Sequence, residues 1–396
     1  IGYYDNSADD WTNYTTATIG DAGNFDIGKG YQMATDSGAT LSFTGTVATS
    51  SQTQAVQDHS GASGRIWNLV ANPFPTYLYA NSNANSNNFI TYNSITNNNL
   101  HDSYAAIYGW DADGTGYTIY NNTSSATYIA PGQGFMVASD ESSGTTVALN
   151  ENMRTNSGSD DFISGDIMEN SEIVIKILNG DTVLDSSKLF FGEGLTLGLD
   201  IGYDAGHFDD NAPIMTRLIE EDQGYGMAIN AMGLDAMENA VIPLVINQAA
   251  GQEFRINLFT ATIPDPNVYL EDVEEGTFTN LYEGDFVLTP TSDLEGVGRF
   301  FIHMSADTMS NEDVSTSLLN AYKEVDASYI TIEGLATQTN ETKVSLYNIL
   351  GREVLSTTLN NNMNTQTIST VGLSSGIYVI ELESGTDRLT KKLLIQ

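Results

Sequence analysis

The 396-residue chain contains no cysteine, which excludes disulfide bridges, Cys-ligated zinc and thiol catalysis. Basic residues are scarce as well: 14 Lys and Arg stand against 51 Asp and Glu, so the formal net charge is −37. Such an acidic chain repels phosphate groups, which excludes nucleic acid as a partner and disfavours an anionic membrane surface. No run of about 18 apolar residues occurs, so the sequence predicts no membrane-spanning helix.

The residues that are present favour a large, β-rich protein. Hydrophobic residues make up 40% of the chain, which is enough for packed cores despite the acidity. The chain begins with Ile1 rather than Met and shows no signal peptide, so we expect a processed or partial N-terminus. The length exceeds that of one typical domain and indicates two or three.

Short runs of β-branched and aromatic residues recur between turn signals such as Asn179-Gly180, and few segments keep a helical spacing. The predicted strands are Ile173–Ile177, Val241–Ile246, Phe254–Phe259, Phe300–Met304, Val344–Tyr347 and Ile377–Leu382. One exception is the segment 212–221, whose apolar spacing predicts two helical turns. The sequence therefore predicts an all-β fold of tandem β-sandwich-like domains.

Charge and turn composition predict where these domains meet. Residues 1–150 hold 12 acids and 2 bases, residues 151–320 hold 31 and 6, and residues 321–396 hold 8 and 6. Polar, turn-rich stretches accompany the changes, near residues 155–161 and 305–317. We therefore predict a β-rich domain over 1–155, a β-sandwich over 160–315 and a third domain over 321–396.

The first domain contains a weak internal repeat, because Ile27–Met33 and Ala130–Met136 share a Gly-bounded pattern that leads into a strand. The two hairpins could belong to one domain or form two successive modules. The Asn-rich stretch Asn81–Asn99 lies between them and is predicted to be a long surface loop.

The C-terminal segment contains three ordered motifs. Tyr347-Asn348-Ile349-Leu350-Gly351 leads to Val354, Gly376-Ile377-Tyr378 opens a strand, and Lys391-Lys392 precede the last apolar residues. This segment resembles the type A C-terminal sorting domain of the type IX secretion system of Bacteroidetes. The resemblance covers about 75 residues and implies a small immunoglobulin-like sandwich that serves as an export signal.

The resemblance also implies partners and a location. An outer-membrane shuttle and a translocon would recognise such a domain after the chain has entered the periplasm, and a surface sortase would remove it. The new C-terminus could then be joined to a lipopolysaccharide anchor, at the cell surface or outside the cell. Lys391 and Lys392 are predicted to form a positive patch. Upstream, the segment 67–75 resembles parts of large adhesin-like surface proteins of the same bacteria.

The sequence shows no catalytic constellation. The four histidines are far apart, and no nucleophile elbow or phosphate-binding glycine loop occurs. Paired carboxylates are frequent, but 51 acids produce such pairs by chance. We therefore predict a protein that is not an enzyme and has no catalytic residues.

Two binding possibilities remain open in the sequence. Asp111 and Asp113, with a turn glycine, resemble the start of a Ca²⁺ loop, and Asp209 and Asp210 form a second acidic cluster. Plain turns explain the same residues, and no other cofactor is indicated.

Aromatic side chains could stack on surface glycans, with Trp67, Trp110 and Tyr117 as candidates, although a sandwich core uses the same residue types. The leading hypothesis is a non-catalytic, adhesin-like surface protein. The alternatives are the accessory end of a secreted hydrolase whose catalytic domain lies upstream, a glycan-binding module, and a subunit of surface fibres.

Overall fold

The structure is a computed structural model that describes residues 1–15, 17–33, 44–61, 65–81, 87–110, 116–158, 171–263, 267–305, 319–323, 327–348, 352–374, 376–385 and 387–395. Strands dominate these ranges, and the few helices are one or two turns long. The predicted all-β fold is therefore confirmed. None of the helices in these ranges has the length and apolar character that a membrane span requires.

The chain forms two compact units. Unit 1 consists of residues 1–168 and 201–205, and unit 2 of residues 169–200 and 206–396. The strands of unit 1 belong to four small sheets. They are β1 Gly2–Asp5, β2 Asp10–Asn13, β3 Gln52–Val56, β4 Trp67–Ala71, β5 Tyr77–Tyr79, β6 Ile107–Trp110, β7 Tyr117–Tyr120, β8 Tyr128–Ile129, β9 Gly134–Ala138, β10 Thr145–Leu149 and β11 Arg154–Thr155.

The largest sheet of unit 1 has the order β4-β9-β6-β7, and β1-β2, β3-β10 and β11-β5-β8 form the others. Both copies of the repeat flank β4. The amide of Gly30 donates to the carbonyl of Leu69 on one edge, while Val70 pairs with Phe135 of β9 on the other edge. The two repeats thus belong to one unit.

Buried asparagines hold the irregular segments of unit 1. Asn72 Nδ2 donates to the carbonyls of Thr76, Ile129 and Ala130, and its Oδ1 accepts from the amide of Phe74. These bonds replace the ladder bonds that loops lack, so the backbone groups can be buried without loss. The sequence 72–75 is therefore a packed turn.

The surface loop predicted for Asn81–Asn99 is wrong over its described second half. Residues Phe89–Thr91 form the short helix α1, which continues as a π-helix over Tyr92–Thr96. The side chain of Asn88 accepts from the amide of Thr91 and thereby caps the helix. Phe89 and Ile90 are fully buried, so this segment is part of the core.

Unit 2 is built around one long sheet, and most strands of this sheet contribute side chains to a common apolar core. The strands are β12 Ser171–Asn179, β13 Thr182–Gly192, β14 Ala205–Gly206 (the first residue of which is assigned to unit 1), β15 Ile214–Thr216, β16 Met227–Gly233, β17 Val241–Ile246, β18 Phe254–Ala261, β19 Asn267–Asp272, β20 Thr277–Asn280, β21 Phe286–Leu288 and β22 Phe300–Ser305. Ten of them follow the order β20-β19-β22-β17-β15-β16-β13-β12-β18-β21. The helix α2, Ala236–Asn239, lies between β16 and β17 in sequence.

The helix predicted for 212–221 is wrong. Ile214–Thr216 instead form the strand β15, which pairs with β16 and β17. A helix-like spacing of apolar residues over only ten residues is a weak signal. Backbone pairing with the two neighbouring strands decides the structure of this segment instead. The turn predicted at Asn179-Gly180 joins β12 and β13, and Gly180 has a φ of 56°, which a glycine adopts without strain.

The last seven strands form a small sandwich within unit 2. They are β23 Asn320–Tyr322, β24 Tyr329–Glu333, β25 Thr342–Asn348, β26 Glu353–Leu359, β27 Gln366–Ser369, β28 Gly376–Ser384 and β29 Asp387–Ile395. The sheets β23-β24-β27 and β26-β25-β28-β29 share one apolar core. The strands up to residue 155 and those from residue 171 onward belong to different sheets, and so do the strands up to residue 305 and those from residue 320 onward. That the chain has three independently folding domains stays a prediction.

Candidate functional site

The sorting motif begins on the inner strands of the four-stranded sheet. Tyr347 and Asn348 end β25, where Asn348 lies opposite Tyr378 of β28. The Asn348 side chain accepts from the amide of Arg352, so it links the end of β25 to the residue that precedes β26. These motif residues therefore fix one end of the antiparallel pair β25-β26.

The remaining motif residues shape the core of the sandwich. Tyr378 is buried and donates its hydroxyl to the carbonyl of Ser374, while Val354 packs against the same core. Gly376 opens β28 opposite Ile395. Gly351 and the side chain of Lys392 lie outside what the structure describes.

Lys391 is buried, so the prediction that it contributes to a positive surface patch is wrong. It shares a face of β29 with Leu393 and Ile395, which belong to the core. Its Nζ donates to Asn320 Oδ1 at 3.0 Å and lies 3.9 Å from Asp222 Oδ2. Alternation along the strand therefore directs this lysine inward.

Asp222 lies in the part of unit 2 that contains the long sheet, and its carboxylate also binds Arg217. Arg217 Nε donates to Asp222 Oδ1 at 3.1 Å, and the amide of Gly224 donates to the same oxygen. The guanidinium of Arg217 stacks over the ring of Tyr322 at 4.2 Å from its centroid. The buried guanidinium of Arg217 is thus paired with one carboxylate and one aromatic face.

Glu333 completes this group of buried charges. The hydroxyl of Tyr322 donates to Glu333 Oε1 at 3.1 Å. Burial raises the pKa of the Glu333 carboxyl to about 7, although Arg217 and the Tyr322 hydroxyl oppose the shift. Burial also lowers the pKa of the Lys391 ammonium, against the attraction of Asp222. We call Arg217, Asp222, Tyr322, Glu333 and Lys391 the buried charge cluster.

Apolar contacts surround this cluster. Tyr322 belongs to a small buried group with Ala212, Met215, Val245 and Val297. A Cβ placed on Gly298 would lie 3.3 Å from the amide nitrogen of Gly334, so a glycine permits the close approach there. The small sandwich and the long sheet therefore pack directly on one another.

Among the members of this cluster, the sorting motif identified Lys391, whereas Asp222 stood out only in the carboxylate run Glu220-Glu221-Asp222, which chance clustering explains. Arg217 offered a signal, because bases are rare in the acidic segment 151–320 and this one stands beside Leu218 and Ile219. Glu333 offered none, since 51 acids make any single one inconspicuous.

The structure describes only two of the four predicted calcium ligands. Asp111 and Asp113 lie outside the described residues. Asp209 and Asp210 are exposed, and Asp209 Oδ1 accepts from the amide of Asn211. No group of three or more acidic or histidine side chains among the described residues could hold a metal ion.

The predicted glycan-stacking residues separate into two environments. Trp67 is 6% exposed and packs edge-on against Tyr104 and Tyr108, so its faces are covered. This member of the prediction is therefore a core residue. Trp110 is 58% exposed and meets Tyr117 edge-on, with ring centroids 5.1 Å apart.

A family model described as "Domain of unknown function (DUF8693)" matches residues 3–304. The chain belongs to this family. The matched DUF8693 region contains all the strands from β1 to β22, except the first residue of β1 and the last residue of β22. It therefore spans the domain boundary that was predicted near residue 160.

A second model, described as "Secretion system C-terminal sorting domain", matches residues 326–396. The match covers the small sandwich from β24 to its end and confirms that the C-terminal segment is a secretion-system sorting domain. The chain is therefore cargo of type IX secretion, with an export signal that acts through that machinery and directs the protein to the cell surface or beyond.

No curated protein matches the chain. A solved structure titled "Crystal structure of tetra-tandem repeat in extending region of large adhesion protein" covers 75% of this chain and 92% of its own, with 9% identity and a TM-score of 0.15. A TM-score this low does not indicate a shared fold.

Proposed function

We propose that the chain is a non-catalytic, adhesin-like or structural protein of Bacteroidetes, displayed on the cell surface or secreted through the type IX system. The observation that carries the proposal is the sorting domain, in which a sandwich with its own core bears the motif. The rest of the described chain consists of packed β-sheets without a metal-binding cluster. A strongly acidic exterior suits a protein that must stay soluble outside the cell.

The proposal includes the steps of export. An outer-membrane shuttle and the translocon recognise the folded sandwich, and a surface sortase then cleaves within the polar segment 306–321. A lipopolysaccharide anchor would retain the processed protein at the outer membrane.

Deletion of residues 321–396 tests the export step. We expect the truncated protein to accumulate in the periplasm, while the full chain reaches the surface of the same host. Cell fractionation with an antibody against unit 1 measures both. Undiminished surface display of the truncated protein would overturn the proposal.

The alternative is that a catalytic domain upstream of Ile1 makes the whole protein a hydrolase. A full precursor sequence distinguishes the two, because a catalytic motif upstream would replace the adhesin-like proposal. The export step would stand in either case.

A second function, glycan binding by unit 1, is favoured by the exposed ring of Trp110 and the half-buried ring of Tyr117 beside it. A second pair, the half-buried Tyr4 and Trp11, has ring centroids 5.5 Å apart. Burial and the hydrogen bond to Asp9 raise the pKa of the Tyr4 phenol, and Tyr117 is near enough to add to that shift. Exposed aromatic rings offer flat apolar faces to the C–H groups of sugars.

A glycan array tests this second function with unit 1 in the full chain. We expect binding of neutral glycans, since acidic ones are repelled, and loss of that binding in Trp110→Ala. Phe259→Ala is the matched control, because Phe259 is 60% exposed and lies in unit 2. An array without signal, or equal loss in both variants, would contradict glycan binding.

A further inference from the structure

The contact between the sorting domain and the long sheet has an unusual composition. Its centre holds two cations, Arg217 and Lys391, and two acids, Asp222 and Glu333, and all four residues are at most 6% exposed. A contact that served only to join two domains permanently would favour apolar groups, because burying an ion pair seldom adds stability over apolar packing. The charges therefore indicate recognition.

The partners come from different sides of the contact. The long sheet supplies Arg217 and Asp222, and the sorting domain supplies Lys391, Tyr322 and Glu333. Lys391 lies 3.9 Å from Asp222, and Tyr322 stacks on Arg217. Lys391 of the sorting domain thus has a charged partner on the side of the long sheet, and Arg217 has an aromatic partner on the side of the sorting domain.

The hydrogen bonds of this cluster are incomplete. Arg217 Nη2, Asp222 Oδ2, Glu333 Oε2 and Asn320 Nδ2 are buried and have no hydrogen-bond partner within the described part of the chain. A cavity of about 250 Å³ lies beside Lys391 and is lined by Leu197, Ile219 and Leu389 among others. When the contact opens, these unpaired polar groups form hydrogen bonds with water, which lowers the free energy of the open state relative to the closed one.

We propose that this contact is a releasable latch, in which Asp222 and Arg217 receive the sorting domain and Lys391 and Tyr322 are the groups that it inserts. The latch holds the export signal against its own cargo. Opening exposes Lys391 of β29 and the ring of Tyr322 without unfolding either side. The proposal goes beyond export itself and does not depend on the adhesin-like function.

A single introduced thiol reports on the opening, because the chain has no cysteine of its own. Met215 is 3% exposed and packs with Tyr322, so the thiol of Met215→Cys, the latch reporter, is covered while the latch is closed. The core reporter is Val344→Cys, at a fully buried position in the sorting-domain core, where the thiol reacts only if that domain unfolds. Thiol labelling of the full chain under native conditions gives the opening rate for each reporter.

Two changes at Lys391 separate charge from fit. Lys391→Met keeps much of the length and loses the charge, whereas Lys391→Arg keeps the charge and has the adjoining cavity to fill. We expect Lys391→Met to raise labelling of the latch reporter at least about tenfold, as the loss of a buried charge partner predicts. Lys391→Arg should stay near the parent, and labelling of the core reporter should not change with either variant.

Three results would overturn the proposal. Equal labelling of the latch reporter with the native lysine and with Lys391→Met would mean that the lysine holds nothing closed. An equal rise in Lys391→Met and Lys391→Arg would mean that fit, not charge, holds the contact. An equal rise in the core reporter would mean that Lys391 only stabilises the sorting-domain core.

Discussion

The ammonium of Lys391 lies 3.9 Å from the carboxylate of Asp222, and both side chains are buried between the sorting domain and the long sheet. Because water does not screen charges at such a site, each depends on the other and on Arg217. This relationship joins the export signal to the DUF8693 region.

Replacing Asp222 should be costly. Asp222→Ala leaves Arg217 and Lys391 without their shared carboxylate, and we expect the free energy of unfolding of unit 2 to fall by about 3–5 kcal/mol. Asp285→Ala is the matched control, since Asp285 pairs with Arg255 at 3.2 Å on the surface. This substitution should change the free energy of unfolding by no more than about 1 kcal/mol. Urea unfolding followed by circular dichroism measures both. Equal effects would show that the buried cluster is not special.

Glu333 predicts a pH dependence of the same unit. Its folded-state pKa is raised from the usual 4.5 to about 7 by burial, so the folded state keeps a proton that the unfolded state has released. Stability from this group is therefore fully present below about pH 4.5, falls as the pH rises towards about 7 and then levels off.

The variant Glu333→Gln isolates this effect from the other acids. The parent should lose up to roughly 3 kcal/mol relative to the variant between about pH 5 and pH 8, which corresponds to the shift at about 1.36 kcal/mol per pKa unit. Parallel pH profiles of the two proteins in urea unfolding would contradict the assigned role of Glu333.

The buried asparagine of the 72–75 turn should support unit 1. Asn72→Ala removes the side chain that bonds three carbonyls and one amide, so we expect the unfolding free energy to fall by about 2–4 kcal/mol. Tryptophan fluorescence measures it selectively, because Trp11, Trp67 and Trp110 all lie in unit 1. Asn97→Ala, at an exposed position, should have little effect, and similar losses in the two variants would refute the role of Asn72.

The sequence predicted the parts of the fold that depend on local pattern. Val241–Ile246 is a strand with the same bounds in the structure, because a short β-branched run suits a strand buried on both faces. The helix over 212–221 failed because pairing with distant strands decided the outcome at Ile214. Tyr347, Asn348 and Tyr378 were recognised through the motif that they form.

The candidate site was only partly accessible to such reasoning. The alternation along β29 places Lys391 on the same face as Leu393, which a strand pattern could have indicated. Its partner Asp222 lies far away in sequence and is one of many acids, so only the tertiary packing identifies it. Trp67 likewise shows that an aromatic residue type alone does not tell a binding surface from a core.

Export through the type IX system is the central claim, and surface labelling in paired host strains tests it most directly. An impermeant reagent applied to intact cells should label unit 1 of the protein in wild-type cells and leave it unlabelled in cells without the translocon, where the protein stays in the periplasm. Equal labelling in the two strains would contradict the account.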